Sequence, residues 1–211
     1  MPTQLRVLTL TWEDIIHHVA IVAAKIRDSG WKPDTIIAIA RGGLVPAMLL
    51  SDFLDIKDIL TIQLEHWPAP GKVEEEVRLK HGLPSVDLSQ RNVLIVDDVA
   101  DTGDTLKFAL DYVRNNYRPR TIRTAALHVK KGKTRFIPDY WGVEIDPQLW
   151  IVYPWNYVED LTSLMKKVIE DSVDPVTMLE KLQKDLGVEL SKVSALCIKE
   201  AMRRVLGNAN S

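Results

Sequence analysis

An α/β fold, a parallel sheet flanked by helices, is predicted by three observations. Short apolar runs recur at residues 36–39, 59–64, 93–96, 122–129 and 149–152. Stretches with three-to-four spacing of apolar residues stand between them, at 44–53 and 105–117. The run at 93–96 passes through two acidic residues into a small-residue turn that opens a helix. Strands that alternate with helices need crossover connections, and crossovers make neighbouring strands parallel.

The elements follow in order. Residues 11–30 read as a helix: Thr11 caps, Asp14 sits three residues on, Ile15, Val19, Val22, Ala23 and Ile26 share a face, and Gly30 ends it. The strand at 36–39 leads into Ala40, Arg41, Gly42 and Gly43 and then an apolar helix. After the strand at 59–64, residues 65–90 fit no period, mixing Pro68, Pro70, Gly71, Gly82 and Pro84 with a charged centre at 72–80. Long irregular stretches of this kind serve as lids or binding loops, or are plain surface insertions, and both readings stand. Strand 93–96, helix 105–117 and strands 122–129 and 149–152 complete the sheet pattern.

Beyond Asn156 only helical patterns remain. Asp174 and Pro175 mark a cap and first helical position, a second start falls near Ser191, and Leu161, Leu164, Val168, Met178, Leu182 and Val205 supply apolar faces. Residues 1–156 are therefore expected to form one domain and 157–211 a helical extension packed on that core or on a second subunit.

Composition narrows the function classes. With 211 residues and 46% hydrophobic content the chain is an ordinary globular protein. A net charge of -2 supplies no general attraction to nucleic acid or anionic membrane, and residues 157–211 carry nine acidic and eight basic residues, unlike a basic DNA-binding arm. Cys197 is the single cysteine, which excludes an internal disulfide and reads as a small buried hydrophobe. No basic-then-apolar leader and no apolar stretch of roughly 20 residues is present, so a cytoplasmic protein is expected. His17, His18, His66, His81 and His128 show no metal-ligand spacing and read as structural or surface residues.

The most specific feature is VLIVDDVADTGDTL at residues 93–106. Backbone N–H groups across Asp101, Thr102, Gly103, Asp104 and Thr105 can converge on one phosphate, helped by the positive end of the following helix. Asp97 and Asp98 end the strand where acidic acceptors bond vicinal ribose hydroxyls. The segment can thus grip both ends of a ribose 5-phosphate. Neither the phosphate-loop pattern of ATPases nor Gly-x-Gly-x-x-Gly is present.

This segment resembles the 5-phosphoribosyl-1-pyrophosphate motif of type I phosphoribosyltransferases. Residues 36–50 (IIAIARGGLVPAMLL) and 141–156 (WGVEIDPQLWIVYPWN) resemble the 6-oxopurine branch, in particular the bacterial xanthine-guanine enzymes. The resemblance covers most of residues 30–156 and not the C-terminal quarter. It implies the type I phosphoribosyltransferase fold, a Rossmann-like sheet with a small hood, here with a C-terminal helical extension. It also implies purine salvage: transfer of the phosphoribosyl group from phosphoribosyl pyrophosphate to guanine, hypoxanthine or xanthine.

The same resemblance assigns roles. Ala40, Arg41, Gly42 and Gly43 become the pyrophosphate loop, with a non-proline cis peptide at Ala40–Arg41 and Arg41 supplying charge-assisted bonds. Magnesium is implied, held mostly by substrate oxygens with Asp98 or Asp97 nearby, directly or through water. Asp101 matches a carboxylate proposed to take a proton from purine N7, although an Asp that merely stabilises the turn reads equally well. Lys130 matches the donor to the 6-oxo group; a lysine has only donors, which suits an oxo group and not the amino group of adenine. Taken alone it would be a solvated strand-end lysine. Trp150 would stack on the base and the Ile151 carbonyl accept from a 2-amino group. Asn156 departs from the branch, which carries Asp there. The branch implies a homodimer or homotetramer. Two other readings stay open: a phosphoribosyltransferase for another base such as adenine, and a phosphoribosyl pyrophosphate sensor without turnover.

Overall fold

The computed structural model describes residues 5–68, 75–168 and 174–207. Contacts group the chain into two units, Ile16–Pro147 and Met1–Ile15 with Gln148–Ser211. The division falls elsewhere than residue 156, because the chain's first strand pairs with the strand at 149–152 and shares a core with the C-terminal helices.

In the larger unit six strands stand in the order β4-β3-β2-β5-β6-β7: β2 (Thr35–Ala40), β3 (Asp58–Pro68), β4 (Glu75–His81), β5 (Asn92–Ala100), β6 (Thr121–Lys130) and β7 (Tyr140–Ile145). Only the β3–β4 pairing is antiparallel. Central strands of parallel sheets are covered on both faces and read as continuous apolar runs. TIIAIA in β2 and NVLIV in β5 are such runs, and both are buried along their length. Helices α2 (Leu44–Leu54) and α3 (Asp104–Tyr117) pack on the sheet, and Ile37, Ile39, Ile95, Leu106, Ala109 and Val113 share one core.

Residues 65–68 and 75–81 depart from the irregular segment expected over 65–90, while 82–90 carry no helix or strand. Residues through 68 prolong β3 and residues 75–81 form an antiparallel edge strand against it. Backbone hydrogen bonding carries this strand in spite of its charged side chains. Part of the expected lid, residues 69–74, lies outside the described residues.

Helix α1 (Trp12–Asp28) begins as its sequence dictates: Thr11 N donates to Asp14 Oδ2 at 2.8 Å and Asp14 N donates to Thr11 Oγ1 at 3.2 Å, a reciprocal cap. On the same helix His18 Nδ1 lies 2.9 Å from Nε2 of the fully buried His128 of β6. One imidazole must donate and the other accept, so the two rings cannot both be protonated and keep this bond. Burial, and then the nearness of His18, push His128 down to about 3.

In the smaller unit β1 (Arg6–Thr9) pairs in parallel with β8 (Leu149–Val152), and α4 (Tyr157–Val168), α5 (Pro175–Lys184) and α6 (Ala195–Gly207) complete it. Val7, Val152, Leu161, Leu164, Leu182 and Val205 share its core, against which Cys197 packs partly buried. Asp174 caps α5 with its side chain accepting from Thr177 N, and Pro175 opens it, as predicted. The start expected near Ser191 is a single 3-10 turn at Leu190–Lys192, and α6 begins only at Ala195. No helix among the described residues is long and apolar enough to cross a membrane.

Candidate active site

Strand order reverses between β2 and β5, the position at which open α/β sheets bind ligands beyond their carboxyl ends. The two strands run level: Ala38 lies opposite Val96. Their exits therefore meet. The Ala40–Arg41 peptide is cis, as the resemblance implied. Gly43 N donates to Ile39 O at 2.8 Å, closing the loop before α2. A Cβ on Gly42 would overlap the Asp98 carboxylate, and one on Gly43 would overlap the Val96 carbonyl. Gly43 thus demands glycine because backbone carbonyls fill the space, while at Gly42 a side chain would have to displace the Asp98 carboxylate.

On the β5 side Asp98 N donates to Asp97 Oδ1 at 3.0 Å and Val99 N to Asp98 Oδ1 at 2.8 Å. Asp97 is only 7% exposed. Burial and the adjoining Asp98 charge raise its carboxyl well above the ordinary range, and burial raises Asp98 to about 6. Two crowded acids in a low-dielectric crevice favour a cation beside them.

The turn that follows is shaped by Gly103, at φ 86°, where a Cβ would also overlap the Phe136 carbonyl. Gly103 stands at the N-cap of α3 and has no side chain to accept from the helix's first amides. A helix start of this kind suits an external anion.

A loop after β6 locks the turn in place. Thr134 Oγ1 lies 2.7 Å from both the Ala100 and Asp101 carbonyls, and Arg135 N donates to Thr102 O at 2.8 Å. Lys130 Nζ stands 3.3 Å from Asp101 Oδ2, Lys133 Nζ 2.7 Å from Asp101 Oδ1, and Arg135 Nη2 2.7 Å from Asp104 Oδ2. A cavity of about 630 Å³ is lined by the acid pair, residues 101–105 and Arg135.

The residues singled out in the sequence at 97–98 and 101–105 therefore surround one cavity. Lys130 reaches it through Asp101, and Gly42 through Asp98. Arg41 is exposed and is not among the lining residues. Sequence reasoning missed Arg135 and Lys133. Their signal was available as the cation-dense run KKGKTR directly after a strand end, opposite an acidic turn.

Trp150 and Ile151 lie on β8 in the smaller unit. Trp150 is 39% exposed, its Nε1 donates to Asp160 Oδ1 at 3.2 Å, and Lys167 Nζ lies 5.2 Å from the ring centroid. Ile151 is buried and paired with Leu8 of β1. Asn156 stands just before α4, where its carbonyl accepts from Asp160 N at 2.9 Å; Asn and Asp serve equally well at a helix start.

Among the described residues no group of three or more His, Cys, Asp or Glu side chains could cage a metal. The donor set fits a magnesium ion that keeps water and takes most of its oxygens from a phosphorylated substrate, with Asp97 and Asp98 close by.

A sheet with its ligand crevice at the strand-order reversal, a phosphate-shaped turn and an acid pair define a class of sugar-phosphate transferases. The chain belongs to the phosphoribosyl transferase domain family, whose model matches residues 10–160. It is 30% identical to hypoxanthine-guanine phosphoribosyltransferase of Saccharomyces cerevisiae, with 75% of this chain and 90% of the relative covered. It is 28% identical to xanthine-guanine phosphoribosyltransferase of Nitratidesulfovibrio vulgaris, covering 72% and 85%. The crystal structure of purine phosphoribosyltransferase from Pyrococcus horikoshii superposes with a TM-score of 0.60 at 35% identity, covering 70% of this chain and 92% of that one.

Proposed function

We propose that this protein is a magnesium-dependent purine salvage phosphoribosyltransferase that makes a nucleoside 5'-monophosphate and pyrophosphate from phosphoribosyl pyrophosphate and guanine, hypoxanthine or xanthine. The observation that carries the reading is the single cavity shared by Asp97, Asp98, the turn 101–105 and Arg135. In the reaction the bond between ribose C1 and the pyrophosphate oxygen breaks, purine N9 forms the new bond to C1, and the base loses one proton.

The residues divide this work. Amides of 101–105 and Arg135 hold the 5-phosphate, and the acid pair takes the ribose diol. Arg41 and the backbone of Gly42 and Gly43 neutralise the departing pyrophosphate. A magnesium ion, when bound, offsets the clustered charge of pyrophosphate and carboxylates. Asp101 receives the proton from N7, while Lys130 donates to the 6-oxo oxygen. Trp150 stacks on the ring and the Ile151 carbonyl accepts from a 2-amino group. The family names of the relatives support a purine acceptor, and a cytoplasmic homodimer or homotetramer is the assembly we expect.

The test incubates purified protein with phosphoribosyl pyrophosphate, magnesium and each of guanine, hypoxanthine, xanthine and adenine. Nucleotide from 6-oxopurines and not from adenine is the expected outcome. Product from none of the four would make the protein a sensor.

A further inference from the structure

We propose that helix α4 is a positioning element for the base-stacking tryptophan: Asp160 and Lys167 hold the indole of Trp150 in the orientation in which it receives the purine. The inference rests on the reading that Trp150 stacks on the base. It gives the first helix of the C-terminal segment a part in substrate selection.

An indole on a four-residue strand, with more than a third of its surface exposed, has rotamer freedom that stacking would have to remove. Two contacts from α4 remove it beforehand. Indole Nε1 is only a donor, so its bond to Asp160 Oδ1 at 3.2 Å fixes the roll of the ring. Lys167 lies over the ring at 5.2 Å from its centroid and covers part of one face. Asp160 and Lys167 stand seven residues apart, two helical turns, and so present from one side of α4.

The carboxylate is held at the depth the bond needs. Asp160 is 9% exposed, its neighbours Leu161, Leu164 and Met165 are buried in the core of the unit, and its amide bonds to the Asn156 carbonyl. A buried acid on an otherwise apolar helix face serves no packing purpose that leucine would not serve better. The Trp150 N–H gives this carboxylate a hydrogen-bond partner and ties the ring to α4.

The experiment is steady-state kinetics of the full chain with guanine and phosphoribosyl pyrophosphate varied in turn. Asp160→Leu is expected to raise KM for guanine by about tenfold, with kcat and KM for phosphoribosyl pyrophosphate within about twofold of the parent. Asp160→Asn, whose amide oxygen still accepts, should stay within about threefold. Lys167→Met, at an exposed position that folding tolerates, should raise KM for guanine about two- to fivefold. In a Trp150→Phe background, which keeps a stacking ring and lacks the N–H, Asp160→Leu should add nothing further.

Unchanged KM for guanine in both Asp160→Leu and Lys167→Met, a parallel rise in both substrates' KM values, or an undiminished effect of Asp160→Leu in the Trp150→Phe background would each overturn the proposal. Trp150→Leu separates the two levels. If it leaves KM for guanine unaltered, the stacking reading itself fails; if it raises that KM while the α4 variants do not, only the positioning role is lost.

Discussion

Lys130 Nζ and Asp101 Oδ2 stand 3.3 Å apart, so the strand-end lysine and the turn carboxylate are already paired across the mouth of the candidate site. One residue is proposed to bind the base's oxo group and the other to take its proton, two roles that fall on the same edge of a purine. Lys130→Ala should lower kcat/KM for the 6-oxopurine by about 10- to 100-fold, the range of a lost hydrogen bond to a charged donor, with little change in KM for phosphoribosyl pyrophosphate. Equal losses for both substrates would remove the proposed role.

Gly42 sits where any side chain would collide with Asp98. Gly42→Ala should push the carboxylate out of place and weaken magnesium-dependent binding of phosphoribosyl pyrophosphate by about tenfold or more, read by titration calorimetry. Retained affinity would mean that the acid does not face the ribose.

Gly103 combines positive φ with a neighbouring carbonyl in the space of its missing side chain. Gly103→Ala should cost about 1–3 kcal/mol of stability in urea unfolding, besides reducing activity. A variant as stable as the parent would show that the turn relaxes freely.

Arg135 reaches Asp104 from a loop that lines the cavity. The exposed pair contributes little to stability, so Arg135→Met should unfold at nearly the parent temperature. Its KM for phosphoribosyl pyrophosphate should nonetheless rise about tenfold. An unchanged KM would remove Arg135 from the phosphate site.

His128, pushed down to about 3 in the folded protein, takes up a proton on unfolding at any pH between that value and its usual 6.5. The unfolded state then binds more protons, so the stability contributed by neutral His128 is present above pH 6.5 and lost as pH falls towards 3. Stability should decline by up to about 1.4 kcal/mol per pH unit below about 6.5. Urea midpoints from about pH 7 to about pH 4 should show a shallower decline in His128→Leu; identical slopes would mean that His128 is solvated.

How much of this was legible in the sequence depended on whether local chemistry or long-range pairing decides each element. β2, β3, β5, β6 and β8 announced themselves through apolar runs, buried along most of β2, β5 and β6 and half-buried in much of β3 and β8. β4 did not: EEVRLKH is held by backbone bonds to β3 at an edge where charges remain in water. β7, YWGVEI, is interrupted by Gly142, which is required because a Cβ there would overlap the Leu127 carbonyl. β1 is four residues long and exists through its pairing with β8, which lies far along the chain. The turn 101–105 was readable because its glycine and acids are dictated locally. For Arg135 the only local signal was the cation-dense run after β6; nothing near it in sequence says that its loop folds back onto Thr102.

The level pairing of Ala38 with Val96 has a consequence for how chains of this kind can vary. One extra residue in β5 beyond that pair would point Asp97 where Asp98 now stands and turn the second acid to the opposite face, and one in β2 would shift Gly42 and Gly43 past Asp98. Length changes there should abolish activity even where the sheet survives. The edge strand β4 pairs on one side only, with β3, so insertions or deletions should be tolerated there more readily in evolution.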